Sequence, residues 1–156
     1  MIVRGNAFLN AKEYAKARAL YRGALTQYPG MIDARRQLAE TDFQEGESLA
    51  ASGRSEKAVD QLLARAYEGV NAVIKDSVST ANLIPFMKRD RFLGETYALK
   101  AAAISAMRTV EGSKMNKTVL AKLELEFKSA LGESIKLSPE GRLARELFEC
   151  YTQKGF

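Results

Sequence analysis

Small and apolar residues recur at helical spacing along the first part of the chain and predict a pair of antiparallel helices. The first helix is expected from residue 2 to about residue 11. The second is expected from about residue 14 to residue 27, because Pro29 follows and stops a helix. Small residues on the facing sides would let the two backbones approach closely, and tyrosines would fill the space between turns. The small residues are Gly5, Ala17 and Ala24, and the tyrosines are Tyr14 and Tyr21.

The same periodicity continues along the chain and predicts two longer hairpins, at about residues 31–75 and 91–136. Turn signals divide each of them into two arms: Gly53-Arg54-Ser55 in the first, with Ser55 as the N-cap of the next helix, and Gly112-Ser113 in the second. Both arms of the last hairpin are long, as an antiparallel pair requires, since one long arm alone would expose its apolar stripe. Two ordinary long antiparallel helices are the alternative for residues 93–136.

A final helix is expected from Pro139 to about Gln153. Ser138 would be its N-cap and Pro139 its first residue, an order that helix starts favour. Cys150, the only cysteine, is expected to be a small core residue of this helix. Such a helix would shield the hairpin that precedes it.

Between the second and third hairpins, residues 77–90 contain a short apolar run that we call the contact strip. One interpretation is a connecting helix packed against the core. The other is a hydrophobic surface for a partner, flanked by basic residues. The contact strip consists of Leu83, Ile84, Phe86 and Met87.

The first hairpin resembles the tetratricopeptide repeat (TPR) family in the type and order of seven residues. One departure is Met1, which stands where the family often has a larger aromatic residue. Residues 93–97, Leu-Gly-Glu-Thr-Tyr, are similar to the first helix of the repeat once more. The resemblance implies an all-α fold in which residues 1–156 form one domain of hairpins stacked as a short superhelix, with residues 139–153 as a capping helix. The seven residues are Gly5, Phe8, Tyr14, Ala17, Tyr21, Ala24 and Pro29.

The TPR resemblance also implies a binding surface, because the first helices of successive hairpins in that family line a concave groove that takes a partner segment. Asn6 stands where family members that hold a peptide's terminal carboxylate have asparagine. Ile2 replaces the lysine that those members use, which makes the tails of heat-shock chaperones unsuitable partners. A solvated polar helix face is the alternative interpretation. The expected groove residues are Asn6, Leu9, Asn10, Asp33, Arg36, Gln37 and Glu40.

The amino-acid composition limits which catalytic and binding functions the chain can have. The chain has no histidine, which removes the commonest general base and metal ligand, and its single cysteine cannot form an intrachain disulfide. No catalytic residue, metal site or cofactor is therefore expected. The net charge of +5 is modest and its basic residues are scattered, so nucleic-acid binding is only an alternative. No apolar run is long enough to predict membrane insertion.

These observations predict a non-enzymatic scaffold or adaptor that binds a protein or peptide partner. A specialised chaperone for an exported or assembling protein is the alternative function. Because Met1 falls inside the first helix, self-association through the N-terminal hairpin or membership of a longer protein is also expected. The cytoplasm is the default location, although a removed signal peptide or anchor would leave no trace.

Overall fold

The computed structural model describes the backbone of residues 1–79 and 86–156, and the side chains of residues 1–77 and 89–156. Within these residues the chain forms seven α-helices and one short 3-10 helix, with no strand, which confirms the all-α prediction. The helices are α1 (Ile2–Asn10), α2 (Tyr14–Gln27), α3 (Ile32–Ala51), α4 (Glu56–Ser79), α5 (Phe86–Glu111), α6 (Lys117–Leu137) and α7 (Arg142–Lys154), and Gly112–Lys114 is the 3-10 helix.

The helices of the second and third hairpins, α3 to α6, are longer than the first two, as the periodicity predicted. Helices α1 and α2 have 9 and 14 residues, whereas α5 has 26 and α6 has 21. The turns at Gly53 and Gly112 lie where they were expected, and Asn116 caps α6 by accepting a hydrogen bond from the Val119 amide at 2.9 Å. Gly53 has a φ of 67°, a conformation that glycine adopts without strain.

The segment between the second and third hairpins is described only in part. Of residues 77–90, residues 77–79 belong to the end of α4 and residues 86–90 to the beginning of α5, which starts before Leu93, whereas residues 80–85 lie outside the described residues. Leu83 and Ile84 of the contact strip lie outside the described residues. Phe86 and Met87 lie in the first turn of α5, and their side chains are outside the described part. Neither interpretation of the contact strip is therefore tested.

The chain divides into two compact units, Met1–Val73 and Ile74–Phe156, which we call unit 1 and unit 2. In unit 1, α2 packs on both α1 and α3, and α1 also contacts α3. The core at this place contains Tyr21, which is 0% exposed, together with Leu9 and Ala17. Tyr21 lies directly against the backbone of Gly5, because a Cβ atom built on that glycine would be 2.5 Å from the Tyr21 Cε1 atom. The predicted close approach of the first two helices is thus present.

Glycines also bring α3 and α4 together in unit 1. A Cβ atom on Gly46 of α3 would lie 3.0 Å from a methyl carbon of Leu63, and one on Gly69 of α4 would lie 3.2 Å from the Cβ atom of Ala39. Leu63 and Ala39 are both buried. The buried apolar residues of α4 recur at helical spacing, so one face of the helix contributes to the core: Val59, Leu62, Leu63, Ala66, Val70 and Val73.

In unit 2, α5 packs along α6, and α7 contacts both. The closest approach is at Gly94 of α5, where a Cβ atom would lie 2.5 Å from the Cβ atom of Ser138. The buried Ser134 hydroxyl donates a 2.7 Å hydrogen bond to the Gly94 carbonyl oxygen. Gly94 is part of the segment that was noted for its resemblance to the TPR family.

Two expectations for the last helix are wrong. Ser138 and Pro139 do not begin the helix: they form a turn, closed by a 2.9 Å hydrogen bond from the Gly141 amide to the Ser138 carbonyl oxygen, and α7 starts at Arg142 with Gly141 as its N-cap. Cys150 is exposed and not a core residue. The residue that α7 buries is Ala144, which is 1% exposed. The spacing of apolar residues in this short helix did not distinguish Ala144 from Cys150 as the small residue that packs in the core.

Replacing Gly94 with alanine should destabilise the protein, because the new methyl group overlaps Ser138. We expect Gly94→Ala to lower the free energy of unfolding by about 1–3 kcal/mol. Gly132→Ala in α6 is the matched control, since a Cβ atom there has no neighbour within 4 Å. Alanine favours a helix over glycine by up to about 1 kcal/mol, so the control should be neutral or stabilising. Urea denaturation followed by circular dichroism measures both, and equal effects would contradict the close approach.

Candidate partner-binding face

Helix α1 contributes two of the predicted groove residues to the surface of unit 1. Asn6 is half-buried, and its Oδ1 atom accepts a 2.7 Å hydrogen bond from the Tyr21 hydroxyl. Asn10 is exposed at the end of α1. Leu9, also predicted to line the groove, is only 4% exposed and packs in the core with Tyr21. The prediction that Leu9 is a surface contact is therefore wrong, because its side chain is part of the core.

Helix α3 contributes the remaining predicted residues. Asp33 is exposed in the first turn, and Gln37 is half-buried. The Arg36 guanidinium lies 3.6 Å from Oε2 of Glu40, and Oε1 of the same carboxylate accepts a 3.1 Å hydrogen bond from the Gln44 amide. Residues three and four positions apart share one side of a helix, so these side chains form a continuous polar stripe.

The Tyr21 hydroxyl links α2 to Asn6 of α1. The pKa of Tyr21 is raised to about 12, chiefly by burial and in part by the charge of Glu40, while the charge of Arg36 lowers it. We call the set Asn6, Asn10, Asp33, Arg36, Gln37 and Glu40 the polar face.

Sequence reasoning missed an ionic network that joins α2, α3 and α4. Arg18 donates to Asp42 at 2.6 Å and to Glu45 at 2.5 Å, and Arg65 donates to Asp42 at 2.8 and 3.0 Å. The side chains of Arg18 and Asp42 are only 15% and 13% exposed. Burial lowers the pKa of Arg18, but the hydrogen bonds that Arg18 donates to Glu45 and Asp42, together with the negative charges of these residues, outweigh it and raise the pKa overall. The spacing of Asp42 and Glu45 places both carboxylates on one side of α3, yet nothing in the sequence identified their partners.

The described residues contain no group of three or more histidine, cysteine, aspartate or glutamate side chains that could hold a metal ion. In the same residues, no helix is both long enough and apolar enough to cross a membrane. The side chains of the polar face are amides, carboxylates and one guanidinium. Their chemistry suits hydrogen bonding to another polypeptide.

Comparison with protein-family models, with curated proteins and with solved structures found no match to this chain. The resemblance to the TPR family therefore stays a prediction from the residues of the first hairpin and of residues 93–97.

Replacing Tyr21 with phenylalanine should remove a pH-dependent part of the stability. The native state keeps the Tyr21 proton up to about pH 12, whereas the unfolded chain releases it near the ordinary pKa of 10.0, so the free energy of unfolding should fall as the pH rises through this interval. Tyr21→Phe should lack that decrease. It should also lose about 1 kcal/mol at pH 8, because the hydrogen bond to Asn6 is absent.

Tyr28→Phe is the control for Tyr21→Phe, because Tyr28 is 63% exposed. Urea denaturation at several pH values from 8 to 12 gives the stability of each variant. Phenolate absorbance at 295 nm follows the titration itself. A wild-type and Tyr21→Phe pair with parallel stability curves would contradict the raised pKa.

Replacing Asp42 with asparagine should destabilise unit 1, because two arginines would then meet an uncharged amide. We expect Asp42→Asn to lower the free energy of unfolding by about 1–3 kcal/mol. Glu146→Gln is the control: it also removes a carboxylate from an arginine pair, but the side chain of Glu146 is 56% exposed. Its effect should stay within about 0.5 kcal/mol. Thermal and urea denaturation test both, and an equal loss would show that the network adds nothing beyond a surface pair.

Proposed function

We propose that this protein is a non-catalytic interaction module, a TPR-like scaffold or adaptor that holds a segment of a partner protein on the polar face. The observation that carries the proposal is that Asn6 of α1, held by the Tyr21 hydroxyl, and the Arg36–Glu40 pair of α3 lie partly exposed on two helices that contact each other. This arrangement supports binding because the two helices present hydrogen-bonding groups next to an apolar core.

The hydrogen bond from Tyr21 orients the Asn6 side chain on the α1 side of the polar face. Tyr21 is fully buried, so the position of its hydroxyl is determined by the core. Because that hydroxyl donates to Oδ1 of Asn6, the orientation of the amide group is determined as well, with its nitrogen as the remaining donor. Asn10 lies one helical turn further along α1 and is exposed. Two amides at this spacing could bind the backbone of an extended peptide, with little loss of side-chain freedom for Asn6.

The α3 side supplies charges of both signs. Asp33 is exposed, and Arg36 and Glu40 are half-buried beside each other. A half-buried ion pair interacts more strongly with a ligand than a fully solvated one, because water screens it less. The face as a whole has no large net charge. Recognition would therefore depend on hydrogen bonds and on the pattern of charges along the partner segment.

Site-specific photo-crosslinking tests the proposal. A benzoylphenylalanine placed at Asn10 should capture a defined partner from the native cell extract, which mass spectrometry can identify. The control places it at Ala19, an exposed residue of α2 that is not part of the polar face. Adding Asp33→Lys to the Asn10 probe should reduce the captured partner severalfold. Glu56→Lys, in the first turn of α4, is the matched charge reversal and should leave capture unchanged.

Helicity measured by circular dichroism should be the same for all four proteins, so that a loss of capture reports the surface and not the fold. Equal capture from positions 10 and 19, or full capture with Asp33→Lys, would contradict the polar face as the binding surface. A cross-link to a second copy of the chain would identify self-association as the use of this face.

A further inference from the structure

Unit 2 contains a cleft that the proposed function does not use. The cleft lies between α5, α6 and α7, and its volume is about 260 Å³. Its wall is aromatic: the ring of Phe127, which is 3% exposed, lies 5.5 Å from the ring of Tyr151 and 5.3 Å from the ring of Phe156. The Phe127 ring is tilted against each of the other two, a usual geometry of aromatic pairs.

The chain end is folded onto this cleft by a glycine. Gly155 has a φ of 73° and a ψ of −171°, a conformation that is essentially restricted to glycine. Its amide donates a 2.8 Å hydrogen bond to the carbonyl oxygen of Tyr151, which ends α7. The chain then turns so that Phe156 lies against Phe127 and completes the aromatic wall.

The charged side chains that line the cleft are both positive. They are Arg108 of α5 and Lys154 of α7, and both are exposed. The Arg108 guanidinium lies over the ring of Phe156, 5.8 Å from its centroid, which places a cation directly beside the aromatic wall. The hydroxyls of Ser105 and Thr109 add hydrogen-bonding groups to the same lining, and no carboxylate side chain belongs to it.

We propose that this cleft binds an acidic segment of a partner protein that carries an aromatic side chain between carboxylates. The volume accommodates one such side chain, and the tilted rings offer it an aromatic surface. The two cations complement carboxylates on either side, because guanidinium and ammonium groups form charge-assisted hydrogen bonds with them. This site lies in unit 2 and is independent of the polar face of unit 1, so either proposal can fail without the other.

One residue of the cleft can be used to measure whether the cleft is occupied. Cys150 is the only cysteine of the chain, is exposed, and lines the cleft. The rate at which neutral iodoacetamide alkylates it therefore measures whether the cleft is occupied. The probe is the peptide acetyl-Glu-Asp-Phe-Asp-Glu-amide, which has one aromatic side chain between carboxylates. Two control peptides replace its phenylalanine by alanine or its four acidic residues by lysine.

On the full chain, the acidic aromatic peptide should slow the alkylation of Cys150 in a saturable manner, and the two control peptides should not. Calorimetric titration should show binding about tenfold weaker for Arg108→Gln and for Lys154→Gln, and a smaller salt dependence in both. Phe156→Ala should weaken binding as well, because it removes one ring of the wall. Arg22→Gln, an exposed arginine of α2, carries the same charge change and should bind like the wild type.

Three results would overturn the proposal. The first is an unchanged alkylation rate at saturating peptide. The second is equal protection by the alanine or lysine peptide, since the cleft would then select neither the ring nor the carboxylates. The third is protection of Cys150 that increases with protein concentration without any peptide, because the occupant would then be a second copy of the chain.

Discussion

The contact between Tyr21 and the bare backbone of Gly5 determines how the helices of unit 1 are placed. A side chain at position 5 would occupy the space that the Tyr21 ring fills, so the approach of α1 to α2 depends on glycine. The hydroxyl of this buried ring also donates a hydrogen bond to Asn6 of the polar face. One core residue therefore connects the packing of the first hairpin to the polar face on its surface.

Unit 2 uses a glycine in a comparable way, with a different partner. Gly94 of α5 lies against Ser138, whereas Gly5 of unit 1 lies against an aromatic ring. The Gly94 carbonyl oxygen also accepts a buried hydrogen bond from Ser134. The close approach at Gly94 thus also gives the buried Ser134 hydroxyl a hydrogen-bond partner. A buried hydroxyl without a partner would lower the free energy of unfolding. The packing of each unit depends on a small residue at a helix seam, whereas the large side chains around it differ.

The two candidate binding surfaces follow from what each unit leaves exposed. In unit 1, the partly exposed stripe of α3 is polar and contains charges of both signs, which supports hydrogen-bonded recognition of an extended segment. In unit 2, the end of α7 and Phe156 enclose an aromatic cleft that carries positive charge. Together the two proposals describe an adaptor with two chemically different sites, one that selects hydrogen-bonding pattern and one that selects aromatic and acidic character.

The sequence by itself determined the all-α fold and most of the turns between helices, because the period of apolar residues, the position of Pro29 and the turn at Gly53 are local signals. It also placed Asn6 and Arg36 among the candidate residues. It did not determine where α5 and α7 begin. It did not show that Leu9 is buried, that Cys150 is exposed, or that Arg18 and Arg65 share Asp42. Those facts depend on which residues of each helix pack against a neighbouring helix. The spacing of apolar residues does not determine this at the level of single residues. Only the tertiary structure brings together residues that are distant in the chain, and only that proximity decides which charges pair and which rings form a cleft.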